Sequence, residues 1–137
     1  MDITITPGRL AGTVAVPPSK SDLHRKCIAA AFCAGETAIR ASALCGDTRA
    51  TLDCLAAMGF AVSFDGQAVR VGARDEAVRT AVLDCGESGS TARFLLPAAA
   101  YFLDSATLTG HGRLPERPFA ALTDALRACG TAVSGDL

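Results

Sequence analysis

The chain has 137 residues, half of them apolar, with 13 Lys and Arg against 14 Asp and Glu and a net charge of −1. That length supports one modest core, and the near balance of charge excludes the electrostatic footprint of a protein that binds nucleic acid or an anionic membrane. An anionic ligand must therefore be caught by a local focus of cations.

Extended segments are expected at Ile3–Thr6 and Thr13–Val16, separated by the turn signal Pro7-Gly8. Ser19-Lys20-Ser21 leads into a helix over Asp22–Ala34, with Leu23, Cys27, Ile28 and Ala31 at helical spacing and Gly35 as its stop. A strand follows at Thr37–Ala41. Asp47 is a candidate cap for a helix through Met58, ended by Gly59. Strands at Ala61–Phe64 and Ala68–Val71 turn at Asp65-Gly66, a hairpin signal. The order then begins again: a strand at Ala81–Asp84, the turn Gly86-Glu-Ser-Gly-Ser, a helix over Thr91–Leu103 and a strand at Ala106–Thr109. A helix over Pro118–Cys129 ended by Gly130 and a strand at Thr131–Val133 complete it.

The two passes superpose. Arg25 and Arg93 stand 68 positions apart, as do Ala38 and Ala106. Beyond the next loop the offset becomes 71, matching Gly59-Phe-Ala-Val-Ser to Gly130-Thr-Ala-Val-Ser. The expected organisation is one unit over 1–75, with its leading strands, and a second over 76–137, stacked through apolar helix faces.

The six cysteines contain no Cys-x-x-Cys pair, and neither histidine stands at ligand spacing beside them, so no metal is expected. Most sit among Ala, Leu and Ile and read as small buried hydrophobes rather than a disulfide scaffold. The start, Met1-Asp2-Ile3-Thr4, has neither basic residues nor the apolar run of a signal peptide. The longest apolar stretch, around Phe94–Leu103, is too short to cross a bilayer, and the cytoplasm is the expected compartment.

Charge and backbone donors concentrate in three segments. In Pro17-Pro-Ser-Lys-Ser-Asp-Leu-His-Arg25, serines and free N–H groups mark a helix start, a natural anion site, and Lys20 and Arg25 can face one ligand. An ordinary serine cap with two solvated cations explains the same residues equally well. In Asp84-Cys-Gly-Glu-Ser-Gly-Ser-Thr-Ala-Arg93, Gly86 and Gly89 allow close backbone approach and Ser90 and Thr91 can donate. No Gly-Lys-Ser/Thr follows and GxGxxG is absent, so a tight structural turn is the competing reading. In Gly110-His-Gly-Arg-Leu-Pro-Glu-Arg-Pro118, Arg113 and Arg117 can fork onto phosphate or carboxylate, or form surface ion pairs of little energy. His24 and His111 read as satisfied or solvated imidazoles rather than bases.

Taken in order, Pro18-Ser-Lys-Ser-x-x-x-Arg25, Gly86-x-x-Gly-Ser-x-x-Arg93 and Gly110-x-x-Arg-x-x-Glu-Arg-Pro118 resemble the three amino-terminal signatures of the EPSP synthase (3-phosphoshikimate 1-carboxyvinyltransferase) family. The resemblance implies an α/β fold of repeated βαβαββ units, three to a domain, in the inside-out α/β barrel arrangement of enolpyruvyl transferases. About two units would be present here, and the active site would lie in a cleft between two domains. It implies transfer of the enolpyruvyl group of phosphoenolpyruvate to the 5-hydroxyl of shikimate 3-phosphate, by addition and elimination, with no metal or organic cofactor.

Carried over by motif, Lys20 would touch both substrates and be the catalytic cation. Ser21 and Arg25 would hold shikimate 3-phosphate, and Gly89 and Arg117 would line the phosphoenolpyruvate site. Ser90, Arg93 and Arg113 rank second. Glu87 departs from the Asn of many members and brings a negative charge near anionic ligands, either paired with a neighbouring cation or opposed to binding. The sister family, UDP-N-acetylglucosamine enolpyruvyl transferase, fits less well: it has Lys-Asn where Lys20-Ser21 stands, and its loop cysteine would fall near Gly112. In the resembling family a second domain supplies an acidic proton-transfer residue and further cations. This chain stops at Leu137, about where the second unit would end. An isolated chain is therefore expected to lack transferase activity, to act at most as a binding or assembly module, and to self-associate through an uncovered helix face.

Overall fold

The computed structural model describes residues 2–135; Met1, Asp136 and Leu137, at the outer limits of the two expected units, lie outside the described residues. The elements run α1 (Lys20–Ala31), β1 (Thr37–Arg40), α2 (Gly46–Ala57), β2 (Phe60–Phe64), β3 (Ala68–Arg74), β4 (Thr80–Asp84), α3 (Gly89–Phe102), β5 (Ser105–Thr109) and α4 (Ala120–Ala128).

Local chemistry sets the helix starts. Ser19 caps α1, its hydroxyl accepting from the Asp22 N–H at 3.4 Å, and Ser88 caps α3, accepting from the Thr91 N–H at 3.2 Å. The cap of α2 is Cys45 rather than Asp47: Thr48 reaches back to accept from the Cys45 N–H at 3.0 Å, which leaves the Asp47 carboxylate free for another partner. The stops match between units. Gly59 and Gly130 both follow their helices with positive φ, +94° and +89°, the left-handed conformation that an L side chain resists.

β1, β3 and β2 form an antiparallel sheet in that order, with Thr37 opposite Val71 and Phe64 opposite Val69. Its hairpin is closed by the Asp65 carboxylate, which accepts from the N–H groups of Gln67 at 2.8 Å and Ala68 at 2.7 Å. β4 and β5 pair in parallel, Thr80 opposite Ser105, with α3 as the crossover. Helices α1, α2 and α3 pack on one another, α1 also on β3 and α2 on β2 and β4. Leu55, Met58, Val69, Val71, Leu83 and Leu95 lie fully buried between them. The fold is thus α/β, and the second unit repeats the helix–strand–helix order of the first.

Three expected strands are corrected. Ile3–Thr6 and Thr13–Val16 form no ladder, and Ile3, Ile5, Val14 and Val16 are all more than 70% exposed. Their alternation is that of a half-buried strand, but no sheet edge among the described residues pairs with them, and an unpaired strand gains no hydrogen bonds to offset ordering. Thr131–Val133 is likewise no strand. Its carbonyl at Val133 accepts instead from the Arg127 guanidinium at 3.3 and 3.1 Å, and the Thr131 N–H folds back onto the Leu126 carbonyl at 3.0 Å. The cysteines also divide more evenly than their neighbours in sequence suggest. Cys27, Cys54 and Cys85 are buried, whereas Cys33, Cys45 and Cys129 are exposed, and all six are free thiols. Among the described residues, no helix is long and apolar enough to cross a membrane.

Candidate functional site

The starts of α1, α2 and α3 meet, and the segment before α4 closes over them. Lys20, the first residue of α1, places its ammonium 2.8 Å from the Asp47 carboxylate at the start of α2. The hydrogen bond and charge of Asp47 raise the Lys20 pKa, against the opposing positive charge of Arg117. Lys20 is thereby held as a cation, half exposed, at a fixed place. Asp47 is the site residue that sequence reasoning missed: it reads as a helix cap, and only the fold brings it to a lysine 27 positions earlier.

Gly89, the first residue of α3, shows why no side chain stands there. A β-carbon would lie 2.6 Å from Nη1 of Arg117 and 2.8 Å from Nη1 of Arg93. The two guanidinium groups therefore fill the space over the buried Gly89 backbone at the α3 start, where N–H groups and the positive end of the helix dipole also point. Their surroundings differ. Arg93 donates to the Pro118 carbonyl at 3.0 Å and to the Gly89 carbonyl at 3.4 Å, and it lies 4.7 Å over the Phe119 ring. It is a clamp that fastens the third loop to α3. Arg117 is an exposed side chain lying over Gly89, near enough to Lys20 for their charges to interact.

The remaining candidates spread out. Ser21 and Ser90 are the second residues of α1 and α3. Arg25, one turn along α1, donates to the Ser21 carbonyl at 2.9 Å and lies 5.2 Å over the Phe94 ring. Arg113 is not brought into the group: its side chain is 89% exposed and pairs with Glu116 at 3.9 Å. Glu87 lies against Gly112, in the space a β-carbon there would need, with its carboxylate 3.8 Å from Nδ1 of His111. Among the described residues its ion-pair partner is thus His111, charged only when protonated, rather than an arginine.

Beneath this surface runs a buried polar line. His24 Nδ1 is 2.7 Å from the Thr51 hydroxyl, Thr51 is 2.7 Å from the Thr91 hydroxyl, and Thr91 donates to the Ser88 hydroxyl at 2.7 Å. Both threonine hydroxyls also approach the Asp47 carbonyl, at 3.3 and 3.2 Å. Burial lowers the His24 pKa, with Asp47 opposing and Lys20 and Arg25 adding to the effect. In the sequence these threonines interrupt apolar helix stripes, a signal for buried hydroxyls that names no partner.

A family model for EPSP synthase (3-phosphoshikimate 1-carboxyvinyltransferase) matches residues 5–136. A curated 3-phosphoshikimate 1-carboxyvinyltransferase of Halobacterium salinarum is 38% identical over 133 residues, covering 95% of this chain and 31% of that protein. One from Clostridium botulinum is 37% identical over 120 residues, covering 83% and 28%. The structure of EPSP synthase from Acinetobacter baumannii superposes with a TM-score of 0.74 at 25% identity, covering 91% of this chain and 29% of that one. The chain therefore spans about 30% of the length of the relatives it matches. Over that span, by motif, by fold and by the convergence of its loops, it belongs to the EPSP synthase family.

Proposed function

We propose that this chain forms the amino-terminal share of an enzyme that transfers the enolpyruvyl group of phosphoenolpyruvate to the 5-hydroxyl of shikimate 3-phosphate, releasing phosphate. The observation that carries the reading is the juxtaposition of Arg117, Arg93 and Gly89, with the paired Lys20 close enough to feel the charge of Arg117. Both substrates are small polyanions. Fixed cations and helix-start N–H groups offset their mutual repulsion and stabilise charge that develops as the hydroxyl adds and phosphate leaves.

On this reading Lys20 is the catalytic cation and touches both substrates. Ser21 and Arg25 hold shikimate 3-phosphate, and Gly89 and Arg117 receive phosphoenolpyruvate. Ser90 lies at the same helix start. Arg93 shapes the pocket through Pro118, and Arg113, out in solvent, contributes attraction at a distance. No organic cofactor or metal enters this scheme. The proposed compartment is the cytoplasm, where six free thiols stay reduced.

Because the chain spans about 30% of its relatives, these 137 residues alone are expected to bind shikimate 3-phosphate without turnover. Calorimetry should detect one site for shikimate 3-phosphate and none for UDP-N-acetylglucosamine, and phosphate release from the two substrates together should be absent. Binding of the nucleotide sugar instead would move the chain to the sister activity, and turnover would refute the incomplete-site reading.

A second property rests on a separate observation. Ile28, Phe32, Phe94, Pro97 and Tyr101 line an apolar groove between α1 and α3, with Phe32 53% and Tyr101 73% exposed. On this reading two copies of the isolated chain associate through it. Sedimentation at rising concentration should show a dimer that Tyr101→Asp weakens; a concentration-independent monomer would remove the idea.

A further inference from the structure

The polar line beneath the site has a direction. Each threonine has one hydroxyl proton, and that of Thr91 has two acceptors in reach, Ser88 at 2.7 Å and the Asp47 carbonyl at 3.2 Å; donation to the nearer, Ser88, requires Thr51 to donate to Thr91. Thr51 then has only lone pairs to offer His24, whose Nδ1 must carry the proton. The outcome is a one-way relay, His24 to Thr51 to Thr91 to Ser88, in which Nε2 of His24 is a bare acceptor. That nitrogen is the one buried side-chain polar atom without a partner among the described residues. The reverse sense would bury an unpaired N–H, the rarer kind of orphan.

The relay links groups from both units. Its upstream end is on α1, four residues after Lys20; its middle touches the backbone of Asp47, the partner of Lys20; its downstream end is the cap of α3, next to Gly89. Thr91 is the junction: within one hydroxyl's reach lie Thr51, the Asp47 carbonyl and Ser88, and its own N–H also donates to Ser88. A β-branched side chain, fully buried at this point, has little freedom to lose contact with all three.

We propose that Thr91 is a positioning residue, whose hydroxyl sets the spacing between the Lys20–Asp47 pair and the Gly89 turn and so the width of the anion pocket. The proposal deepens the function read above and rests on it for its ligand. It assigns no contact between Thr91 and substrate.

Three forms of the 137-residue chain test it: wild type, Thr91→Val, which keeps the shape and loses the hydroxyl, and Thr91→Ser, which restores it. With shikimate 3-phosphate as the probe, the valine variant should bind about fivefold to tenfold more weakly, and the serine variant within about twofold of wild type. Equal affinity in folded Thr91→Val overturns the proposal. A wild type that fails to bind refutes the functional reading but not the positioning. That is read without ligand, as movement of the Asp47 and Gly89 amide signals in the valine but not the serine variant; unmoved signals overturn it. Should Thr91→Val not fold, the nitrogen spectrum of His24 in wild type decides. A proton on Nδ1 supports the relay, and a proton on Nε2 refutes it.

Discussion

The two units carry the same pattern, yet α2 and α4 live in different surroundings. α2 buries Thr48, Thr51, Leu52, Cys54 and Leu55 against the neighbouring helices and strands, whereas α4 buries Thr123 alone. Leu55 and Leu126 stand at the same place in the repeat, 71 positions apart, but Leu55 is 0% exposed and Leu126 is only half-buried. Matching residues fix where each helix begins and stops, because caps and the C-terminal glycines act locally. How much a helix gains from its apolar stripe is set by what covers it. In the first unit α2 is covered by β2 and β4, and no strand follows α4 among the described residues.

This contrast can be broken most sharply by truncating the paired leucines. Leu55→Ala should cost about 2–5 kcal/mol of unfolding free energy and Leu126→Ala less than about 1, read from denaturant midpoints. Equal losses would mean that α4 is covered as well as α2.

A smaller effect is expected at the helix starts. Gly89→Ala places a methyl where two guanidinium ends lie and should weaken shikimate 3-phosphate binding by about tenfold, with little change in stability because flexible side chains can retreat. Gly46→Ala, at the start of α2 with open space around its β-carbon, should leave binding within about twofold. Similar effects at both glycines would remove the special role of the α3 start.

The smallest expected effect is a pH slope. The folded pKa of His24 lies below its ordinary value of 6.5, so the neutral ring is the favoured form in the fold. The unfolded chain takes up this proton first as pH falls, and stability is lost below about pH 6.5. The facing charges are Asp47, which resists the shift, and Lys20 and Arg25, which add to it. His24→Asn, which can still donate to Thr51, should flatten the fall in unfolding midpoint between pH 7.5 and 5.5. An unchanged slope would assign the pH dependence elsewhere.

Much of this was legible in the residues. The places of the first unit's two helices, the Asp65-Gly66 hairpin and the Gly59 and Gly130 stops rest on local chemistry and read correctly without tertiary knowledge, but α1 ends at Ala31 with Phe32 as its C-cap, short of the expected Gly35 stop. The three loops were visible as clusters of cations, serines and glycines. Less visible was what each cation does. Arg93 and Arg117 look alike in sequence, and only the closure of the third loop makes one a clamp and leaves the other over Gly89. Asp47 passed for a cap because its true role depends on Lys20, and the relay through Thr51 and Thr91 depends on three helices meeting. The leading segments misled for the converse reason: alternation predicts a strand but cannot supply its partner.

The central claim is that the starts of α1 and α3 and the third loop form one anion pocket. Following the amide signals of Lys20, Gly89 and Arg117 during a shikimate 3-phosphate titration tests it most directly. The account predicts that all three move along a single saturation curve; separate curves, or movement at Lys20 with Gly89 and Arg117 silent, would contradict it.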